Sequence, residues 1–468
     1  MGICKGCLTK QQKIDQLSAE VVRLTAKLKY QERNGKEKVF GSSTPSSKML
    51  MKKNSDEEKA KRQGGAKKGH KGNGRRSAKK EEEKEIIEVS APDKCPECGE
   101  DLIGNGYRER TVKDVPVVEV KTVVYRIGRC VCPKCKKTVE SNALPVLPNN
   151  LIGNQLLSHI IEQHYIHGIP LGRLESQIGI NTGTLIGALH RIGKMLEPVI
   201  EKMQEEYRMS FVKHADETGW RNNGKNGYAW LFLSENAALF RLRGSRSGKV
   251  AQEVFGEKKL PGVLVVDRYN GYNKAPCAIQ YCQAHLLRDV KDLGEEYPDH
   301  VEIQTFVKEA SELLAAAIHL RTMPISDATY LRMAKQLKKR ISAIMEHSAQ
   351  HPGIQKIQDI YRQHKKRMYH WAQNRKIPAD NNFAERELRP LVIARKVSFG
   401  SQSDAGAHTR EVLMSISHTM RLRKIPIQQH LKETLDHLAA NPNLGASPLL
   451  FPPQYLMAHN IHSYFLYI

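Results

Sequence analysis

Val263-Leu264-Val265-Val266-Asp267-Arg268-Tyr269-Asn270-Gly271-Tyr272 is an apolar run that stops in a carboxylate and then a turn. Such a run reads as a central strand delivering its Asp to a sheet edge, where ligands bind in open α/β sheets. A second run, Phe211–His214, leads into Ala215-Asp216-Glu217-Thr218-Gly219-Trp220 and reads the same way. A third carboxylate lies in Asp380-Asn381-Asn382-Phe383-Ala384-Glu385-Arg386-Glu387-Leu388-Arg389-Pro390. On a helix, Asn381 and Asn382 stand four and three residues before Glu385 and share its face. One Asp at a strand end is usually a cap or a salt-bridge partner. Asp216, Asp267 and Glu385 together suit an oxygen-rich site for magnesium or manganese. Two such ions about 4 Å apart promote phosphodiester displacement. Glu217 and Glu387 are rival ligands; the strand end favours Asp216 and the Asn-bearing face favours Glu385.

Outward from these motifs, Tyr228–Leu233 and Leu239–Leu242 also read as strands. Residues 151–207, 286–375 and 380 to about 440 carry helical periodicity. The expected class is multidomain α/β.

Charge narrows the partners. Seventy-four Lys and Arg stand against fifty Asp and Glu, a formal net charge of +24. Like charge of that size adds nothing to folding and points to a polyanion, most often nucleic acid. An anionic membrane would call for a basic amphipathic helix with bulky apolar residues opposite the charges, and none is found. No apolar run reaches the roughly 20 residues of a membrane span, and the first ten residues lack a secretion signal. The expected location is the cytoplasm.

Ile14, Leu17, Val21, Leu24 and Leu28 recur at spacings of 3, 4, 3 and 4, the seam of a short coiled coil or of a single packed amphipathic helix. Residues 35–84 are low in complexity, with ten Lys or Arg between Lys59 and Lys80, and read as a disordered basic arm for DNA phosphates. Cys95-Pro-Glu-Cys98 and Cys132-Pro-Lys-Cys135 have the spacing of two knuckles that close a four-thiolate structural zinc site. β-branched residues around Val115–Ile127 suggest a ribbon between them. Cys130 leaves the identity of the ligating sulfurs open, and Cys4 and Cys7 have no second half in sequence. The stretch Gly168–Leu185 has the pattern of a helix-turn-helix, although an ordinary helical hairpin shares it. Gly179 suits the turn, and Asn181 or Thr182 suits the cap of the second helix. Asn181, Thr182, Thr184, His190 and Arg191 are then candidates to face DNA.

The motifs taken together resemble transposases of the insertion sequence 66 group, of the DDE class with a ribonuclease-H-like core. The residues that carry the resemblance are Asp216-Glu-Thr-Gly-Trp220, Asp267-Arg-Tyr-Asn-Gly-Tyr272, Cys282-Gln-Ala-His285-Leu-Leu-Arg288 and Asn381-Asn-Phe-Ala-Glu385-Arg-Glu-Leu-Arg389-Pro390. Arg395-Lys396, Phe399-Gly400-Ser401, Gly406, Gly69-His70-Lys71-Gly72 and both cysteine knuckles match as well. The resemblance implies that Asp216, Asp267 and Glu385 are the metal ligands. It implies an all-helical insertion at about 290–375, which explains why 51 residues separate the aspartates but 118 separate Asp267 from Glu385. His285, Arg288, Arg389, Arg395 and Lys396 become candidate phosphate contacts.

The expected organisation is a coiled coil over 1–34, the basic arm over 35–84, a zinc-binding ribbon over 85–145 and a helix-turn-helix domain over 150–207. A ribonuclease-H-like catalytic domain follows over 208–440, then a tail over 441–468 whose part after about Met457 matches no pattern. The expected activity is cleavage at transposon ends followed by strand transfer into target DNA. Expected partners are end DNA, target DNA, a second copy of the chain or more, and helper proteins of the same element. A non-catalytic DNA-binding regulator and a nuclease that cuts without joining are the rival readings.

Overall fold

The computed structural model describes residues 13, 16–25, 94, 96–101, 120–140, 146–148, 150–441 and 444–451. Residues 16–25 are helical, with Leu17, Val21 and Leu24 exposed. Ile14 and Leu28 of the heptad seam, the basic arm at 35–84, Cys4, Cys7, Cys95 and the tail after Phe451 lie outside the described residues. Residues 49–123 belong to one compact unit and the remainder to another. In the first unit, residues 96–98 form a turn ending in Cys98, and Lys94 bridges to Asp101.

In the second unit, β1 (Arg129–Val131) and β2 (Thr138–Glu140) make an antiparallel hairpin. The turn between them carries Cys132 and Cys135 and is closed by Lys136 N–H donating to Cys132 O at 2.9 Å. Residues 120–128 form no strand, although Val120, Val123, Val124 and Ile127 favour one; all four are exposed. β-branched residues need a partner strand to pair with, and among the described residues they have none.

Between this hairpin and the main sheet, the described residues form four helices: α1 (Asn154–Tyr165), α2 (Leu171–Ile178), α3 (Thr182–Leu196) and α4 (Pro198–Met209). The sheet contains β3 (Val212–Asn222), β4 (Lys225–Leu233), β5 (Ala238–Arg243), β6 (Val263–Val266) and β7 (Ala278–Tyr281). Its order is β5-β4-β3-β6-β7. The first three strands are antiparallel, and β6 and β7 join parallel to β3. The β3–β4 loop is Asn223-Gly224, both with positive φ, the Asn-Gly pair that a two-residue hairpin demands. α5 (Gly248–Phe255) crosses between β5 and β6.

β3 is longer than its apolar start suggests. It continues through Asp216 to Asn222 because antiparallel pairing with β4 runs the whole way. Asp216 is therefore mid-strand; the edge it meets is made by its neighbour β6, which stops at Val266.

After β7 the chain is helical. α6 (Gln283–Glu296), α7 (Val301–Leu320), α8 (Asp327–Glu346) and α9 (Pro352–His364) pack in succession, and α9 returns to α6. α10 (Asn382–Ser398) then lies on β3, and α11 (Asp404–Leu422) runs along β5 while touching α1 and α3. α12 (Ile427–Ala440) packs on α1, and α13 (Ala446–Leu450) follows. Among the described residues no helix is long and apolar enough to cross a membrane.

α11 completes the sheet in place of a sixth strand. The free N–H groups of edge strand β5 donate to its side chains: Ala238 to Thr419 Oγ1 at 3.0 Å, Phe240 to Ser415 Oγ at 2.9 Å and Leu242 to Glu411 Oε1 at 2.7 Å. Alternate strand residues repeat every ~6.8 Å and helix residues four apart every ~6.0 Å, so the two ladders stay matched over three rungs. An edge strand that would otherwise recruit another chain is thereby satisfied. Close approach is also needed where the chain leaves α10. Gly400 has φ +130, and a Cβ there would lie 2.2 Å from Arg221 O. Ser401 N–H donates to Arg221 O at 2.9 Å, tying that turn to β3.

Ser415→Ala leaves the Phe240 N–H buried and unpaired. The expected loss is about 1–3 kcal/mol of stability, read by urea denaturation.

Candidate active site

The parallel register of β3 and β6 pairs Val212 with Val263 and His214 with Val265, an offset of 51 residues. Asp216 and Asp267 are also 51 apart. Each therefore stands two residues beyond the same rung, on adjacent strands about 4.8 Å apart and on the same face. Each takes a backbone N–H: Glu217 N donates to Asp216 Oδ1 and Tyr269 N to Asp267 Oδ1, both at 2.9 Å. The second contact is the side-chain turn typical of an Asp that ends a strand.

Glu385 sits in the first turn of α10. Asn381 holds that helix end against β3. Its Nδ2 donates to Ala215 O at 2.9 Å, its Oδ1 accepts from His214 Nδ1 at 2.8 Å, and its N–H donates to Cys282 Sγ at 3.1 Å. Burial keeps His214 neutral, with its pKa lowered to about 4, which suits a single Nδ1–H donor. Asn381, expected to share a helix face with Glu385, is placed otherwise. It is buried, precedes the helix, and ties the backbone beside Asp216 to the turn that bears Glu385.

The rival carboxylates are engaged elsewhere. Glu217 is nearly fully buried, accepts from Arg246 Nε at 2.9 Å, and also accepts from Tyr272 Oη. Arg246 in turn lies 4.1 Å from the centre of the Tyr269 ring. Glu387 pairs with Arg421, with His418 Nδ1 at 3.8 Å. Arg246 is the residue that motif reading missed. It lies in the loop after β5, and no local pattern singles it out.

Charge is crowded here. Burial first, then Glu217, Asp267 and Glu385, push the Asp216 carboxyl well above the usual carboxylate range. Glu385 Oε1 is buried with no hydrogen-bond partner. His285 Nε2 is 3.8 Å from it, and His285 Nδ1 is also buried and unpaired. One ligand atom each from Cys282, His285 and Glu385 lie within 4.8 Å of one another.

Of the expected phosphate contacts, Arg288, Arg389 and Lys396 are exposed and His285 is partly so. Arg395 is turned inward; its Nη1 donates to Thr218 Oγ1 at 3.0 Å and to Gly219 O. In the helical segment, Gly179 ends α2 with φ 70, and Asn181 caps α3 by accepting from Gly183 N at 2.8 Å. Asn181, Thr184 and Arg191 are exposed. Thr182 is half-buried and donates through its N–H to Glu175 at 3.0 Å. His190, expected to face outward, turns to Thr409 Oγ1 on α11 at 2.6 Å because α3 packs on that helix.

Asp216→Asn removes the charge that the fold disfavours. A carboxyl whose folded pKa exceeds its unfolded value binds more protons when folded. Wild-type stability therefore falls as pH rises from about 4 through the folded pKa. The variant is expected to melt higher than wild type at pH 8 without metal, with the gap closing near pH 4; thermal melts across pH check this.

A family model described as "Transposase IS66 family" matches residues 149–409. The chain is also similar to two proteins of Sinorhizobium fredii described as uncharacterized. One, y4qI, is 22% identical over 396 residues, covering 76% of this chain and 72% of the relative. The other, y4hP, is 21% identical over 415 residues, covering 77% and 73%.

Proposed function

This chain belongs to the IS66 transposase family, and from that premise we propose that it cuts DNA at transposon ends and joins those ends to target DNA, with Asp216, Asp267 and Glu385 as the ligands of magnesium or manganese. One observation carries the reading: the two aspartates share a register position on adjacent parallel strands, and Asn381 ties the turn bearing Glu385 to the backbone beside the first of them. The fit to a hard cation is supported by the crowding that disfavours the Asp216 anion and by the orphaned Glu385 Oε1. Oxygen donors of this kind are what magnesium and manganese take.

A divalent cation bound there supplies Lewis acidity and charge neutralisation for in-line phosphodiester displacement. In the first displacement a water attacks the phosphodiester at the element end and the 3′-oxygen leaves. In the second that 3′-hydroxyl attacks a phosphodiester of target DNA, whose own 3′-oxygen leaves and takes up a proton. Neither step needs a covalent enzyme intermediate. Among the chain's own groups, Arg246 and Tyr272 hold Glu217 back from the cleft. Arg288, Arg389 and Lys396 are exposed to meet phosphates, with His285 beside Glu385. Arg395 serves instead by bracing α10 on β3.

The remaining segments serve recognition and assembly in this reading. α2 and α3 act as the helix-turn-helix, offering Asn181, Thr184 and Arg191 to the end DNA, with Thr182 bracing the turn. Cys95, Cys98, Cys132 and Cys135 hold a structural zinc. The Cys132 thiol is lowered by backbone N–H groups of Cys135 and Lys134, which supports a thiolate there. The exposed Leu17–Val21–Leu24 stripe supports pairing of two copies. The basic arm adds sequence-independent affinity. Helper proteins of the same element and a nucleoid location complete the proposal.

Purified protein incubated with labelled element ends and magnesium is expected to release 3′-ends and join them to a target. Glu385→Gln should lower both by about 10²-fold or more while end binding persists. Binding by wild type with no cleavage, helper proteins included, would sink the reading.

A further inference from the structure

Glu385 has neighbours besides Asp216. Cys282 immediately precedes α6, His285 lies on its first turn, and Glu385 lies on the first turn of α10. The two helix starts are joined by the Asn381 N–H on Cys282 Sγ. We propose that Cys282, His285 and Glu385 form a distinct site for a borderline transition-metal ion of the zinc or cobalt(II) class, exclusive of the hard-cation site because both need the Glu385 carboxylate. The exclusivity rests on the assignment of Glu385 to the hard-cation site; the site itself does not.

The donor set discriminates. One sulfur, one imidazole nitrogen and one carboxylate oxygen are each ordinary zinc ligands, whereas magnesium takes oxygen. The geometry is near what such an ion needs. Metal–ligand distances of about 2.0–2.3 Å in a tetrahedral site place donors about 3.4–3.8 Å apart. The three donor atoms already lie within 4.8 Å of one another, and His285 Nε2 is 3.8 Å from Glu385 Oε1. A closure of about 1 Å completes three corners and leaves the fourth for water.

Two further observations point to a ligand. Glu385 Oε1 is buried with no hydrogen-bond partner, a state that native structures rarely leave unrelieved. Cys282 Sγ accepts a backbone N–H at 3.1 Å, the outer contact that orients a ligating sulfur. Binding forms one bond from each donor to the ion and releases the thiol proton to solvent.

The test uses the full chain as wild type, Cys282→Ser and His285→Ala, titrated with cobalt(II). The knuckle cysteines contribute equally to all three and cancel in the comparison. Wild type is expected to bind one more equivalent than either variant, with additional thiolate-to-cobalt absorption. Manganese affinity, read by its electron paramagnetic resonance, is expected to weaken at least about tenfold in zinc-loaded wild type and to stay unchanged in zinc-loaded Cys282→Ser. Equal cobalt stoichiometry and spectra in the three proteins overturn the site. Equal manganese affinity in zinc-loaded and zinc-free wild type overturns the exclusivity. Both metal readouts as expected, with no DNA cleavage by any form, uphold this site and sink instead the DNA reading above.

Discussion

Parallel pairing of β3 with β6 at an offset of 51 residues is the constraint on which the candidate site depends. It places two carboxylates side by side where β6 runs out and β3 does not. Burial first, then the charges of Glu217 and Asp267, disfavour the Asp216 anion there. A structure that keeps like charges together gives up stability for them, and such strain is commonly concentrated where function needs it. The fold holds the arrangement through contacts that add no further negative charge: Asn381 on the Ala215 carbonyl, neutral His214 on Asn381, and the Arg395 guanidinium on Thr218 and Gly219.

The C-terminal helices finish what the strands leave open. α11 satisfies three N–H groups of β5 through Glu411, Ser415 and Thr419, and the same helix receives His190 from α3 on Thr409. The segment that caps the sheet thus also anchors the α2–α3 pair. α10 brings Glu385 to the sheet at its start and returns to β3 at its end, where Gly400 permits contact that a side chain would block. Helices α6–α9 separate these parts in sequence while leaving them together in space. That is how a segment 118 residues beyond Asp267 returns to β3, where the Glu385 charge acts on Asp216.

Much of this was legible in residue order. The Val263–Val266 run is a strand with the expected bounds, and the helical periodicity after Leu286 is realised in α6–α9. The 51-residue spacing of the aspartates is readable in sequence, but only the pairing of β3 with β6 shows that it equals the strand register. Gly179 and Asn181 also do what their types suggest. What was not legible depends on tertiary pairing. The length of β3 is decided by β4, so Phe211–His214 showed its start and not its end. Asn381 shares a helix repeat with Glu385, yet its position before the first turn aims it at His214 and Ala215. The hold of Arg246 and Tyr272 on Glu217 joins three loops and strands, and no local spacing encodes it. The 4-residue repeat Glu411-Ser415-Thr419 reads as an ordinary helix face until β5 lies beside it.

The central claim is that three segments remote in sequence meet at one hard cation. Iron(II) substituted for magnesium, with ascorbate and peroxide, cleaves the backbone of whatever surrounds it, and the fragments can be mapped by mass spectrometry. Cuts clustered near 216, 267 and 385, suppressed by excess magnesium, are the predicted result. Cuts confined to the neighbourhood of 282–285 and 385, with none near 216 or 267, would contradict the account.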